Sequence, residues 1–285
     1  MHRDYSSRLP ERFTQNILGL HAEKGAEWLA ALPGVIAAIA EKWSLDVENH
    51  FENLSFHYVA PCTLAGGKQA VLKIGYPEEN SILYSEAKIL KFLNGKGAVK
   101  LLEFDKKSCA VLLERLLPGE NLIELCRRND EAATAVAIEV MNKFWRRAPA
   151  DGRFPSLQQW TNELEKAEDK AFGQKFIEKA RSYFEELRGS SKRSFLLHGD
   201  MHHENILSAE RVPFLAIDPK GIVGDIGYEI SVFLNNPRSW VLTHANRGEI
   251  LEKRLKMFTQ SFKIEPRFAC VKTQLRGLFR KTLIS

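Results

Sequence analysis

The spacing of apolar residues near the start of the chain is helical. Apolar side chains recur every three or four positions between Arg12 and Trp43, which predicts amphipathic helices. The pair Pro33-Gly34 lies inside this segment. Because proline lacks a backbone donor and glycine is a poor helix former, we expect a break between two helices there. A helical segment is therefore predicted ahead of the first sheet.

After Glu52 the pattern changes to short apolar and aromatic runs. Leu54 to Thr63 and Gln69 to Gly75 are two such runs, and Gly66-Gly67 lies between them. A glycine pair between two strand-like runs favours a tight hairpin turn. Two antiparallel strands are predicted.

The next segments complete a first group of elements. A helical pattern runs from Ile82 to Leu93 behind Ser81, a residue type that caps helices, and Asn94-Gly95 is typical of a helix end. Strand-like runs follow at Ala98 to Phe104 and at Ala110 to Leu113. Regular structure is expected to end at Pro118-Gly119.

Beyond that point the pattern is mainly helical. A strand-like island at residues 194–218 interrupts it. The predicted helices are Glu131 to Arg147, Leu157 to Lys170, Phe176 to Leu187, a segment near Tyr228, and Glu249 to Phe262.

Length and charge narrow the classes of function. The 285 residues are enough for two domains or two lobes, and 41 Lys+Arg against 36 Asp+Glu leave a net charge of +5. This mild excess is far from the basic stripe of a nucleic-acid-binding protein, so no nucleic-acid partner is expected. Much of the excess lies in Lys253, Arg254, Lys256 and the last residues of the chain.

Cysteine usage and hydropathy indicate the compartment. Cys62, Cys109, Cys126 and Cys270 form no Cys-x-x-Cys pair, so neither a disulfide framework nor a thiolate metal site is predicted. The longest uncharged apolar stretch, Trp28 to Ala40, is too short to cross a membrane. We expect a cytoplasmic protein that does not bind a membrane.

Polar residues that suit phosphoryl transfer follow two of the short apolar runs. Asp200 follows the run that ends in Leu197, Asn205 lies five positions later, and Asp218 follows a second run. One carboxylate can accept the proton of an attacking hydroxyl. An amide oxygen and a second carboxylate can hold Mg²⁺.

Two motifs carry a resemblance to a known family. His-Gly-Asp-x-His-His-x-Asn at residues 198–205 and Ile-Asp-Pro-Lys-Gly-x-Val-Gly-Asp at residues 217–225 closely resemble loops of the aminoglycoside phosphotransferase family. The branch of streptomycin 6-kinases and hydroxyurea phosphotransferases is the most similar, over roughly residues 12–240. This resemblance implies an α+β fold of the two-lobed, protein-kinase-like type.

The implied lobes have different architectures. Residues 1–113 would form a nucleotide-binding N-terminal lobe with an antiparallel sheet and helices. Residues 114–119 would be a hinge. Residues 120–285 would form a mainly helical C-terminal lobe with the catalytic loops and the acceptor site.

The resemblance also implies roles for single residues. Asp200 matches the catalytic base, and Asn205 and Asp218 match the Mg²⁺ ligands. Lys73 matches the lysine that pairs with the phosphates of ATP, and Glu86 matches the glutamate that anchors that lysine.

Further roles concern the hinge and two neighbouring loops. Backbone groups from Glu114 to Leu116 would meet the adenine, and Asn53 to Tyr58 would cover the phosphates. Asp225 and Glu229 follow the metal loop, where the acceptor could approach. An equally good interpretation of these two is a helix start with favourable carboxylates.

The implied function is the ATP- and Mg²⁺-dependent phosphorylation of a hydroxyl on a small molecule. The first candidate is an aminoglycoside such as streptomycin, with antibiotic resistance as the result, and hydroxyurea or another metabolite is the alternative. A non-catalytic nucleotide-binding regulator is the alternative of another class. A zinc hydrolase using His198, His202 and His203 is disfavoured, because Gly199 and the strand-like run before His198 argue against the helix that such a site needs.

Overall fold

The computed structural model describes residues 5, 8–159 and 194–264. Its contacts divide the chain into two compact units, and each is treated by itself. The first unit comprises Met1–Gly95 and Val99–Leu116, and the second comprises Lys96–Ala98 and Leu117–Ser285.

The first unit opens with the long helix α1, Glu11–Trp43. The predicted break at Pro33-Gly34 is wrong, since Pro33 lies inside the helix and the non-helical residue is Ala22, with φ 47° and ψ −126°. The helix tolerates the missing donor of Pro33 because an apolar face around it, including Leu32 and Ile36, is buried. At the true break Gly25 allows close packing, because a Cβ there would lie 2.8 Å from the carbonyl oxygen of Ile17.

A five-stranded antiparallel sheet packs with α1 around one apolar core. Its order is β1-β2-β3-β5-β4. The strands are β1 Leu45–Val47, β2 Tyr58–Leu64, β3 Gln69–Ile74, β4 Leu101–Asp105 and β5 Ala110–Glu114. The predicted hairpin is confirmed, because β2 pairs with β3 and the two turn glycines, Gly66 and Gly67, have φ values of 97° and 84°. Strand β1 was not predicted.

Helix α2, Ile82–Leu93, confirms the predicted caps. The Ser81 hydroxyl accepts a hydrogen bond from the backbone N–H of Leu83, and Asn94 ends the helix in the left-handed region with φ 47°. This helix brings Glu86 to the sheet.

The described part of the second unit contains five complete α-helices, and residues 157–159 are also helical. They are α3 Leu122–Arg128, α4 Asp130–Phe144, α5 Ile226–Leu234, α6 Arg238–Thr243 and α7 Arg247–Phe262. Helices α3 and α6 were not predicted, because seven and six residues are too few to show a clear period. Helix α4 ends three residues before the predicted end, since Arg146–Arg147 pairs as a strand. The helices predicted from Leu157 to Lys170 and from Phe176 to Leu187 lie almost wholly outside the described residues.

Two small antiparallel sheets lie among these helices. One has the order β10-β9-β6 and the other β11-β8-β7. Their strands are β6 Pro118–Asn121, β7 Arg146–Arg147, β8 Phe195–Leu197, β9 Ile206–Ala209, β10 Phe214–Ala216 and β11 Ile222–Gly224. The strand-like island predicted at residues 194–218 is confirmed, and its strands carry the two polar loops of interest.

The structure also bears on the cysteines and on the possibility of a membrane-spanning helix. Cys62, Cys109 and Cys126 are buried free thiols, whereas Cys270 lies outside the described residues. Among the helices described, none is long and apolar enough to cross a membrane.

The short segment Lys96–Ala98 belongs to the second unit although the first unit flanks it on both sides. Ala98 forms a parallel bridge with Ala216, whose N–H donates to the carbonyl of Gly97 over 3.1 Å. Gly97 has φ 76°, and a Cβ there would lie 2.6 Å from the backbone nitrogen of Phe144. Only glycine fits without displacing the backbone of α4.

We therefore expect Gly97→Ala to lower the free energy of unfolding by about 2 to 4 kcal/mol, because it adds left-handed strain to an overpacked contact. Urea denaturation of the full chain measures this change. Gly248→Ala in α7 is the matched control, because apart from its chain neighbours and its own helix backbone no atom lies within 4 Å of the added Cβ. The control should be neutral or stabilising by up to roughly 1 kcal/mol. Equal effects of the two variants would contradict this account of Gly97.

Candidate active site

A buried ion pair in the first unit joins Lys73 to Glu86. Lys73 lies on β3 and Glu86 on α2, and the lysine Nζ is 2.8 Å from the glutamate Oε2. The two residues are only 4% and 1% exposed, so little water competes with the contact. The structure thus brings together the two residues that the sequence paired. Their contact with a nucleotide remains a prediction.

A side chain of α1 contacts the loop that precedes β2. Leu54 is buried in the core, and the Asn16 side chain donates from Nδ2 to the carbonyl oxygen of Ser55 over 2.9 Å. The backbone N–H of Phe51 also donates to the carbonyl of Val59. The segment predicted to cover the phosphates, Asn53 to Tyr58, is therefore fixed by packing and by a side-chain amide rather than by a glycine motif.

The predicted hinge begins where β5 ends. Glu114 is tied to Lys100 twice, because its N–H donates to the Lys100 carbonyl and its Oε1 accepts from the Lys100 N–H over 3.1 Å. Leu116 is half-buried. The contact of these residues with adenine stays a prediction.

The second unit places the three metal and base candidates in two loops. Asp200 follows β8, Asn205 ends the short 3₁₀ helix His203–Asn205, and Asp218 follows β10. Asp218 has φ 58°, a left-handed conformation that is uncommon outside glycine. Such conformations persist where the surrounding structure enforces them, and they cluster at functional sites.

His198 braces the two loops against each other. Its Nδ1 accepts from the N–H of Asp200 over 3.2 Å, so the neutral ring carries its proton on Nε2, which donates to the carbonyl of Ile217 over 2.7 Å. Its own carbonyl accepts from the N–H groups of Lys220 and Gly221. These bonds link the residue before Asp218 to Asp200 itself. His198 therefore braces the backbone of both loops.

Glu229 holds the loop on either side of Asp200. Its fully buried carboxylate accepts from the N–H of Gly199 at 3.2 and 3.1 Å and from the N–H of Met201 at 3.1 Å. Gly199 has φ 87°, and a Cβ there would meet the Ile222 side chain at 2.7 Å. The residues before and after Asp200 are thereby fixed to α5.

Asn205 closes the same loop from the other end. Its Nδ2 donates to the carbonyl of Asp200 over 2.9 Å, and the carbonyl of Asn205 accepts from the N–H of Ile217. Because the amide nitrogen is engaged in this way, Oδ1 is the side-chain atom of Asn205 that can bind a cation. An amide oxygen and a carboxylate are ligand types that suit a hard divalent ion, and Asn205 and Asp218 as Mg²⁺ ligands stay a prediction.

Asp225 and Glu229, the two candidates for contact with the acceptor, lie at the start of α5 and within it. Asp225 is the N-cap of α5, because its Oδ1 accepts from the N–H of Gly227 over 2.8 Å. Glu229 is fully buried on the same helix, a position that does not support contact with an acceptor. Sequence reasoning missed the loop-holding role of Glu229. A carboxylate among apolar helix neighbours was the one signal that could have indicated it.

The three histidines are not arranged as a zinc site in the described residues. Both ring nitrogens of His198 bond to backbone groups. His202 uses Nδ1 to accept from the N–H of Glu204, while the His203 ring stacks on Phe233 with centroids 4.1 Å apart. Their turn is 3₁₀ rather than α-helical, so the zinc alternative gains no support.

Comparison with known proteins identifies similar sequences. A family described as "Aminoglycoside/hydroxyurea antibiotic resistance kinase" matches residues 43–277. Streptomycin 6-kinase of Streptomyces griseus is 28% identical over 265 residues, which cover 90% of this chain and 84% of that protein. Hydroxyurea phosphotransferase of Kitasatospora aureofaciens is 31% identical over 238 residues, covering 80% and 68% of the two chains.

Solved structures share the fold at lower identity. An amicoumacin kinase in complex with AMP-PNP and Ca²⁺ superimposes with a TM-score of 0.62 at 16% identity, covering 95% of this chain and 88% of that one. An aminoglycoside phosphotransferase variant in a ternary complex with ADP and hygromycin B has a TM-score of 0.60 at 15% identity, covering 87% and 90%. The expected kinase-like α+β fold is confirmed.

The burial of His198 makes stability depend on pH. Burial lowers the pKa of His198 from 6.5 to about 4. Between these values the unfolded chain binds a proton that the native state does not, so the free energy of unfolding falls as pH falls. His198 contributes up to about 3 kcal/mol to this loss. Burial also holds the pKa of His203 well below 6.5, which adds a loss of the same sign.

Urea unfolding of the wild type and of His198→Gln between pH 4.5 and 7 measures this contribution. The variant should be less stable at pH 7 and should show a shallower decline toward acid. A decline as steep as that of the wild type would contradict the assignment of a buried neutral His198.

Proposed function

The chain belongs to the aminoglycoside/hydroxyurea antibiotic resistance kinase family, and from that premise we propose that it transfers the terminal phosphate of ATP, with Mg²⁺, to a hydroxyl of an aminoglycoside such as streptomycin. One observation carries the proposal. The Asp200 carboxylate is borne by a loop whose backbone is held at Gly199, Asp200 and Met201 by buried side chains.

In the proposed reaction Asp200 accepts the proton of the attacking hydroxyl. A general base must keep its position while the proton moves, and the bonds from Glu229 and His198 to the adjoining amides supply that fixation. Asp200 is half-buried, with its side chain 24% exposed, so an acceptor hydroxyl can approach it.

We assign the cation and the phosphates to other residues of the chain. Oδ1 of Asn205 and the carboxylate of Asp218 would hold Mg²⁺, which when bound supplies positive charge against the transferring phosphate. Lys73, fixed by Glu86, would pair with the nucleotide phosphates. Glu114 to Leu116 would contact the adenine through backbone groups.

The relatives support the choice of acceptor. The streptomycin 6-kinase match covers more of this chain and of its partner than the hydroxyurea phosphotransferase match does. Hydroxyurea stays the second candidate because its phosphotransferase shows the higher identity, 31% against 28%. The presence of Asp200, Asn205 and Asp218 together argues against a non-catalytic regulator.

ADP release in the presence of ATP and Mg²⁺, measured with streptomycin, with hydroxyurea and without acceptor, tests the proposal. We expect streptomycin to stimulate release, and Asp200→Asn to lower the stimulated rate by roughly 10²- to 10⁴-fold while nucleotide binding is kept. Stimulation by hydroxyurea alone would transfer the proposal to that acceptor. If no acceptor in a broad panel of hydroxyl compounds stimulates release, the enzymatic proposal fails.

The metal assignment has its own test in a Mg²⁺ titration of nucleotide binding. Asp218→Asn is preferred to Asp218→Ala, because asparagine tolerates the left-handed backbone at this position. We expect the Mg²⁺ concentration for half-maximal binding to rise at least about tenfold, since the ligand loses its charge. Asp151→Asn is the control, because Asp151 is exposed and pairs with Arg153. An unchanged titration for Asp218→Asn would remove Asp218 from the ligand set.

A further inference from the structure

Arg254 is the one arginine that is buried among the residues described by the structure. Arg254 lies on α7, is 0% exposed, and is flanked by the rings of Phe233 and Trp240 at 5.3 and 5.6 Å. The sequence counted it with Lys253 in the excess of positive charge, and only the structure shows that it is buried. Each of its three guanidinium nitrogens has partners inside the protein. These are Asp130 for Nε, the carbonyls of Phe233, Leu234 and Asn236 for Nη1, and Asp130, Cys126 and His203 for Nη2.

The partners of Nη2 have the composition of a cation site. One ligand atom each from Cys126, Asp130 and His203 lies within 4.8 Å of the other two. Arg254 Nη2 lies 3.4, 2.6 and 3.5 Å from those groups, so the guanidinium itself supplies the positive charge among them. Burial raises the pKa of the Cys126 thiol to about 12, which keeps it protonated and unlike a metal-bound thiolate.

Two of the contacts of Arg254 lead to the Asp200 loop. Nη1 donates to Leu234 and to its neighbours at the end of α5, the helix that carries Glu229. Because carbonyls at the end of a helix are unpaired and bear partial negative charge, a cation there stabilises the helix. Glu229 in turn binds the amides beside Asp200.

The second route passes through His203. Nη2 donates toward Nε2 of His203, the first residue of the 3₁₀ helix that ends at Asn205. The His203 ring is also fixed by its stack on Phe233. Arg254 thus contacts both the helix that fixes Asp200 and the turn that presents Asn205.

We propose that Arg254 is a positioning residue for phosphoryl transfer, which holds Asp200 through α5 and Asn205 through His203. The inference deepens the proposed function and rests on it. Lysine cannot replace this residue, because its shorter side chain and three donors cannot reach the same carboxylate, carbonyls and imidazole together.

The contact with His203 gives a signature that needs no turnover. Arginine can only donate, so Nε2 of His203 accepts and the ring carries its proton on Nδ1. The side-chain nitrogen shifts of ¹⁵N-histidine report which nitrogen holds the proton.

The experiment compares Arg254→Lys and Arg254→Met with the control Lys253→Met in the full chain, after circular dichroism has shown that each is folded at the assay temperature. Lys253 lies on the same helix, is exposed, and pairs with Glu131 and Glu249. We expect both Arg254 variants to lower kcat at least about tenfold with KM for ATP and acceptor within about threefold, a loss confined to the chemical step. The His203 signal should change in both variants, and the control should match the wild type.

If Arg254→Met does not fold, Asp130→Asn takes its place, since it keeps the shape of the partner and loosens the guanidinium. A kcat within twofold of the wild type in folded Arg254→Lys would overturn the proposal. So would a lower kcat with an unchanged His203 signal, because that result fits a general loss of stability. If the wild type phosphorylates no acceptor, the proposed function fails. In that case an unchanged His203 signal in the variants would still overturn the proposed contact between Arg254 and His203.

Discussion

The buried carboxylate of Glu229, with its hydrogen bonds to the amides of Gly199 and Met201, is the interaction on which the candidate site depends. A charged acceptor makes these bonds stronger than those between neutral groups. Without it, two backbone donors that flank Asp200 would lose their partner, at a cost of about 1–3 kcal/mol for each that stays buried. The position of this carboxylate depends on helix α5, and the carbonyls of its last two residues accept hydrogen bonds from Arg254. The backbone conformation around Asp200 is therefore set by buried side chains, Glu229 and Arg254, that are not themselves assigned to the reaction.

Local signals were enough to predict much of the fold. The Gly66-Gly67 hairpin, the Ser81 cap and the Asn94 end each depend on a few adjacent residues, and all three are present. The break in α1 was misplaced because Pro33 carries a strong local signal, whereas the kink at Ala22 goes with a tight contact between Gly25 and Ile17. Packing of this kind is tertiary, and a single sequence does not show it.

The candidate site shows the same division. The spacing of Asp200, Asn205 and Asp218 and the pairing of Lys73 with Glu86 could be predicted, because motifs and family resemblance carry them. The roles of Glu229 and Arg254 could not. Glu229 is 30 positions from Gly199, and Arg254 is 124 positions from its carboxylate partner Asp130. On a helix next to Lys253 and Lys256, an arginine has the pattern of a solvated face, and only the folded chain shows that it is buried.

The path of the chain between its two units limits where chimeras of related proteins can be joined. Since Lys96–Ala98 belongs to the second unit, the chain crosses from one unit to the other three times, and a junction at residue 116 does not separate them cleanly. A chimera joined there would bring a foreign three-residue segment against Ala216 and the backbone of Phe144. The residue at position 97 would then have to fit against the backbone of α4 in the host protein. Successful recombination within this family therefore requires that residues 96–98 travel with the second unit.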